Sequence, residues 1–89
     1  MYKINLKHPI KASSIIPGFN RSIDYITIRQ ATFADIIKVE SQHMSSIEKI
    51  MEYAHILNGE NLRPKDLAAL MGEDTHILCQ TVSMAIGGK

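Results

Sequence analysis

The chain has 89 residues, of which 45% are hydrophobic, with no Trp, a single cysteine and a formal charge of +1. A chain this short buries only about 60% of the surface it exposes when unfolded, so a single domain with a thin core is expected, one that contact with partners would help to stabilise. One cysteine excludes an internal disulfide, no apolar run approaches the roughly 20 residues of a membrane span, and no apolar leader opens the chain, so a soluble cytoplasmic protein is expected.

The near-neutral total hides a gradient. Lys3, Lys7, Lys11 and Arg21 all precede the first acid, Asp24, whereas the rest of the chain carries six basic residues against nine acidic ones. Such an amino-terminal ribbon can attract nucleic acid or an acidic protein, but four charges spread over about twenty residues are sparse for that purpose. Lysines that keep a strand edge from pairing with other sheets are the expected role.

In chain order, Tyr2, Ile4 and Leu6 alternate with Lys3, Asn5 and Lys7, the period of a strand with one apolar face. Its expected partner is residues 23–29, where Ile26 and Ile28 share a face and Tyr25, Thr27 and Arg29 lie on the other. The connection over residues 8–22 holds Pro9, Ser13, Ser14, Pro17, Gly18 and Asn20 and reads as turns, with Ile15 and Ile16 folding back over the sheet. Thr32 offers its hydroxyl to the free amides of a new helix, and Asp35 can reach back to the Thr32 amide. That helix, over about 33–42, places Phe33, Ile36 and Ile37 on one side. Ser45 and Glu48 make a second capping box, behind which Ile47, Ile50, Met51, Ala54 and Leu57 recur at helical spacing until Asn58-Gly59. Pro64 suits a first helical position, Leu67, Leu70 and Met71 form a stripe, and Gly72 ends this third helix. Asp74 or Thr75 caps a fourth, with Leu78, Val82 and Ala85 on one face until Gly87-Gly88. Strands followed by helices give an α+β fold, an N-terminal antiparallel β-hairpin with three to four short α-helices. The domain runs over 1–89, with the hairpin and its long loop in 1–30 and the helical part in 32–87.

Little chemistry stands out. His76 and Cys79, three apart on the last helix, are a poor metal signal, since a closed zinc site needs four ligands at recognisable spacing. No nucleophile turn or phosphate loop frames a reactive residue. No catalytic residue, cofactor or metal is expected. The rival reading is a helix-turn-helix over about 64–71 and 75–86, with Ala68 and Gly72 at the packing and turn positions. Charge opposes it: the second helix opens on Glu73-Asp74, which repels phosphates at the end that reads bases. Neither nucleic acid nor membrane is an expected partner. Met51 and Met71 lie on the stripes as core filler, whereas Ile56, Ile77 and Met84 fall off them and are surplus apolar positions for partner binding.

The segment His8-Pro9-Ile10, then Thr27-Ile28-Arg29, Thr32 and Asp35, resembles the tail assembly chaperones of Mu-like and P2-like contractile-tailed bacteriophages. In that family a short strand ends near a Pro, a second strand closes on Thr-Leu-Arg, and a Thr and an Asp open the first helix. Leu67, Leu70 and Asp74 fit its later helices. Gln30-Ala31 stands where the family usually has Glu-Pro, which loosens the joint. The motif residues carried over are Pro9, Thr27, Arg29, Thr32 and Asp35. The resemblance implies a non-catalytic protein of a phage or prophage, working in the bacterial host cytoplasm and absent from the mature virion. It would bind the tape-measure protein and assist the tail-tube protein while the tube assembles, and the surplus apolar positions would also suit contact with further copies of itself. It also implies a longer product made by frameshifting near the codons of Gly87-Gly88-Lys89.

Overall fold

A computed structural model describes residues 1–13 and 20–87 of the chain. Strand β1 (Tyr2–Ser13) pairs antiparallel with β2 (Asn20–Ile28), and four helices follow, α1 (Phe33–Glu40), α2 (Ser46–Leu57), α3 (Pro64–Leu67) and α4 (Glu73–Ala85). The expected α+β hairpin-then-helices order is the observed one.

Both strands are longer than their turn residues suggest, because Pro9 and Ser13 belong to β1 and Asn20 begins β2. Pro9 is accommodated where the ladder breaks. Tyr2 to Asn5 lie opposite Ile28 to Tyr25, and pairing resumes with Ile10 opposite Ile23. Residues 6–9 of β1 therefore face Asp24 alone, a bulge that needs no N–H from proline. The expected fold-back of Ile15 and Ile16 lies outside the described residues.

The side chains explain the bulge. Ile26 and Ile28 are buried, yet so is Ile23, an odd number of positions away. Only a change of phase puts all three on one face. Ile4, Ile10 and Ala12 from β1 complete that face, against which α3 and α4 pack. Three of the hairpin's basic residues are used locally: Lys7 pairs with Glu73 at 2.6 Å, the Lys3 ammonium sits 4.7 Å from the centre of the Tyr25 ring, and Arg21 donates to the Glu60 carbonyl at 2.9 Å.

Both sequence-read capping boxes form. Thr32 Oγ1 accepts from the Asp35 amide and Ser45 Oγ from that of Glu48, each acid reciprocating to its cap's N–H. The inner faces depart from expectation in α1, where Val39 is the buried residue, Ile36 is half-buried, and Phe33 and Ile37 point to solvent. A helix this short has room for about two core positions, and the chain turns away after Glu40 rather than residue 42. Tyr53, Ala54 and Leu57 anchor α2 in the core.

The loop after α2 is organised by Asn58. Its Nδ2 donates to the carbonyls of Ala54, His55 and Leu62 at 2.8, 2.9 and 3.0 Å, while Oδ1 accepts the amides of Glu60 and Leu62. The loop thereby lies alongside β2, with Ile28 bridging Asn58 and the Gly59 amide donating to the Thr27 carbonyl at 3.0 Å.

The third helix is a single turn, ending at Leu67 rather than at 71. Gly72 does not close it: with φ 58° and ψ −127° it is the N-cap of α4, which begins at Glu73. Neither Asp74 nor Thr75 is the cap. Asp74 instead points across to β1, fully buried, and accepts the successive amides of Lys7 and His8 at 2.9 Å each. Leu78, Thr81, Val82 and Ala85 form the inner face of α4, with the Thr81 hydroxyl satisfied by the Ile77 carbonyl at 2.8 Å.

Candidate functional site

Three of the five motif residues, Arg29, Thr32 and Asp35, converge at the corner between β2 and α1. The end of β2 delivers Arg29 opposite the first turn of α1, and its Nη1 and Nη2 meet Asp35 Oδ2 and Oδ1 at 2.7 and 3.2 Å. The same carboxylate accepts the Thr32 amide at 2.9 Å. The Arg29 guanidinium, followed by the Thr32 amide, holds the Asp35 carboxyl well below the usual aspartate range. Thr27, two residues back, faces the other way and donates its amide and hydroxyl to the Glu60 carboxylate at 2.7 Å each. The Ala31 amide donates to the Ala85 carbonyl at 2.9 Å, so the corner is tied to the end of α4 as well. Pro9 is apart from this cluster, in the bulge. The corner's polar groups are consumed by one another, which suits a structural role and offers no reacting atom.

An open apolar surface lies elsewhere. The inner sides of α2, the α3 turn and α4 do not close completely, leaving an apolar pocket of about 130 Å³. Its walls are Ile47, Ile50 and Met51 from α2, Leu67 and Leu70 at the α3 turn, and Thr75, Leu78 and Cys79 from α4. Ile47, on the predicted core stripe, is 74% exposed at its edge, and Met71, predicted as core filler, is 60% exposed beside Leu70. Phe33 and Ile37, one turn apart on α1, are 77% and 52% exposed. A pocket of this size accepts one apolar side chain or a benzene-sized group.

The three residues assigned to partner binding do not share a surface status. Met84 is 44% exposed, whereas Ile56 and Ile77 are half-buried and pack against the core edge, so they are not surplus positions. The helical wheel placed them outside the stripes, but a core fed by strands on one side and helices on the other is wider than one stripe. What sequence reasoning missed were Ile47, Met71, Phe33 and Ile37. Apolar spacing identifies a helix's apolar face without revealing whether another element reaches far enough to cover it.

His76 is exposed, its Nε2 3.3 Å from the Gln80 amide nitrogen, while Cys79 sits in the pocket wall rather than fully in the core. Among the described residues no group of three or more His, Cys, Asp or Glu is placed to hold a metal ion, and no helix is long and apolar enough to cross a membrane. No family model, curated protein or solved structure matches the chain.

Proposed function

We propose that this domain is a non-catalytic tail assembly chaperone of a phage or prophage, which binds the tape-measure protein and assists tail-tube assembly. The observation that carries the reading is the open apolar pocket of about 130 Å³ with exposed Ile47 and Met71 beside it. A long helical client with an uncovered apolar seam aggregates until that seam is shielded, and such a pocket receives one seam side chain while its apolar edge covers the neighbours. The likeness of Thr27, Arg29, Thr32 and Asp35 to the family motif supplies the identity of the client. The domain would act in the bacterial host cytoplasm, alone or as a homo-oligomer, and leave before the virion is complete. DNA recognition is not proposed, because Asp74 is buried against β1 and Glu73 is paired with Lys7, leaving the start of α4 engaged with the strand.

Co-expression with the tape-measure protein of the same gene cluster tests this. The expected result is a larger soluble fraction of the client and a complex that survives purification. Changing Ile47→Ser together with Met71→Ser weakens that complex and leaves the circular dichroism spectrum unchanged. A client that stays insoluble and unretained with the wild-type domain removes the assignment.

A further inference from the structure

The hairpin is fastened to the helical body at its base and at its bulge by different means, and Arg21 of the outer part also donates to the Glu60 carbonyl. The base is tied through Ile28 and Asn58, through the Arg29 amide on the Leu57 carbonyl at 3.0 Å, and through Thr27 on Glu60. Beyond the bulge an arm, residues 10–13 with 20–23, continues in a register displaced by three residues. Carrying the register of the base onward would set Ile10 opposite Asn20 and turn Ser22 and Asp24 to the buried face. The displaced register brings in Ile23 instead, since an odd shift exchanges the two faces of a strand.

At the boundary between base and arm, the register break takes the amides of Lys7 and His8 off the ladder. Both are satisfied by Asp74, one fully buried carboxylate in the first turn of α4, at 2.9 Å each. We propose that Asp74 is a releasable clasp: in place, it holds the bulge and with it the register of the arm, and without it the arm leaves the helical body while the base stays docked. Two part-buried amides that lose their acceptor are costly, and the bulge that holds them off the ladder then loses its support.

Lys7 and His8 are the ionisable side chains that act on this carboxylate among the described residues, and Lys7 is itself paired with Glu73. The amide of Lys7, then that of His8, holds the Asp74 carboxyl below the usual aspartate range. The clasp therefore stays charged through neutral and mildly acidic conditions and opens in stronger acid.

The test is nuclear magnetic resonance on the full chain. In Asp74→Asn, whose carboxamide presents an N–H group where an acceptor is needed, the Lys7 and His8 amides lose protection from exchange. The cross-strand contact between Ile10 and Ile23 weakens, while that between Ile4 and Ile26 persists. Survival of the Ile10 to Ile23 contact in this variant overturns the proposal, because side-chain phase alone would then hold the register. If the variant does not fold, acid titration of the wild type decides. Loss of the Ile10 to Ile23 contact together with the shift of the Lys7 and His8 amide signals, before Ile4 to Ile26 is lost, supports the clasp; loss of both contacts in one step overturns it.

Discussion

Arg29 and Asp35 form a two-point ion pair that turns the end of β2 into the start of α1, with Nη1 and Nη2 at 2.7 and 3.2 Å from the two carboxylate oxygens. Because Asp35 also closes the capping box on Thr32, one side chain fixes both the helix start and its direction relative to the sheet.

Thr32→Ala is expected to lower stability by about 1 kcal/mol, measured by urea unfolding, through loss of the cap to the Asp35 amide. A double-mutant cycle with Arg29→Ala and Asp35→Ala is expected to give a coupling of about 1 kcal/mol or less, diminishing with added salt. The folded-state pKa of Asp35 lies below its unfolded value, so this contribution is present above that unfolded value and is lost as the pH falls through the depressed one. An unchanged acid limb in Asp35→Asn would contradict the assignment.

Gly59 lies so close to β2 that an added Cβ would sit 2.5 Å from Thr27 Oγ1, an atom held in place by Glu60. Gly59→Ala is expected to cost about 1–3 kcal/mol in the wild-type background. The same substitution costs less when Thr27→Ala has already removed the opposing hydroxyl. Equal costs in the two backgrounds would show that the loop moves aside.

Gly72 presents the opposite case, with open space around its Cβ position but a backbone at φ 58° and ψ −127°. Glycine reaches this region readily and L-residues do not. Gly72→Ala is expected to lower the thermal midpoint by the equivalent of about 1–3 kcal/mol, and Gly72→Val by more, because branching at Cβ narrows the backbone further. Equal stability of all three proteins would mean that the chain before α4 adopts another course.

Tyr53 is buried and donates its hydroxyl to Glu40 at 3.0 Å. Burial first, and the Glu40 carboxylate second, push its pKa up to about 12 from 10.0. Spectrophotometric titration is expected to show one tyrosine ionising near that value. Its share of stability is intact below pH 10.0 and declines as the pH rises toward about 12. Glu40→Gln brings the transition down without restoring it fully, because burial remains. A titration that does not respond to Glu40→Gln would place the hydroxyl elsewhere.

Local signals were the legible part of this sequence. The Thr32–Asp35 and Ser45–Glu48 boxes, the strand faces through Ile4 and Ile26, and the stop at Asn58 each depend on residues within four positions, and each formed. Signals that depend on distant elements were misread. Pro9 looked like a turn because nothing nearby reveals that Asp74 supplies acceptors for a bulge in mid-strand. Gly72 suited the end of one helix as well as the start of the next, and only the direction of the backbone decides. The joint was visible as a joint, whereas the pocket was not, since Ile47 and Leu78 come from helices whose separation the sequence does not state.

Asn58 uses both ends of its carboxamide, and it thereby sets the length of the loop as well as its shape. Its Nδ2 spans the last turn of α2 to the Leu62 carbonyl, and Oδ1 holds the Glu60 and Leu62 amides from the other side. Residues 58–62 therefore have no slack, and Asn61 meets the distance with φ at 57°. One residue inserted or deleted here would carry Leu62 away from a side chain that cannot follow, and would pull Glu60 off Thr27 in the same movement. Among homologous chains this stretch should keep a constant number of residues even where its letters change.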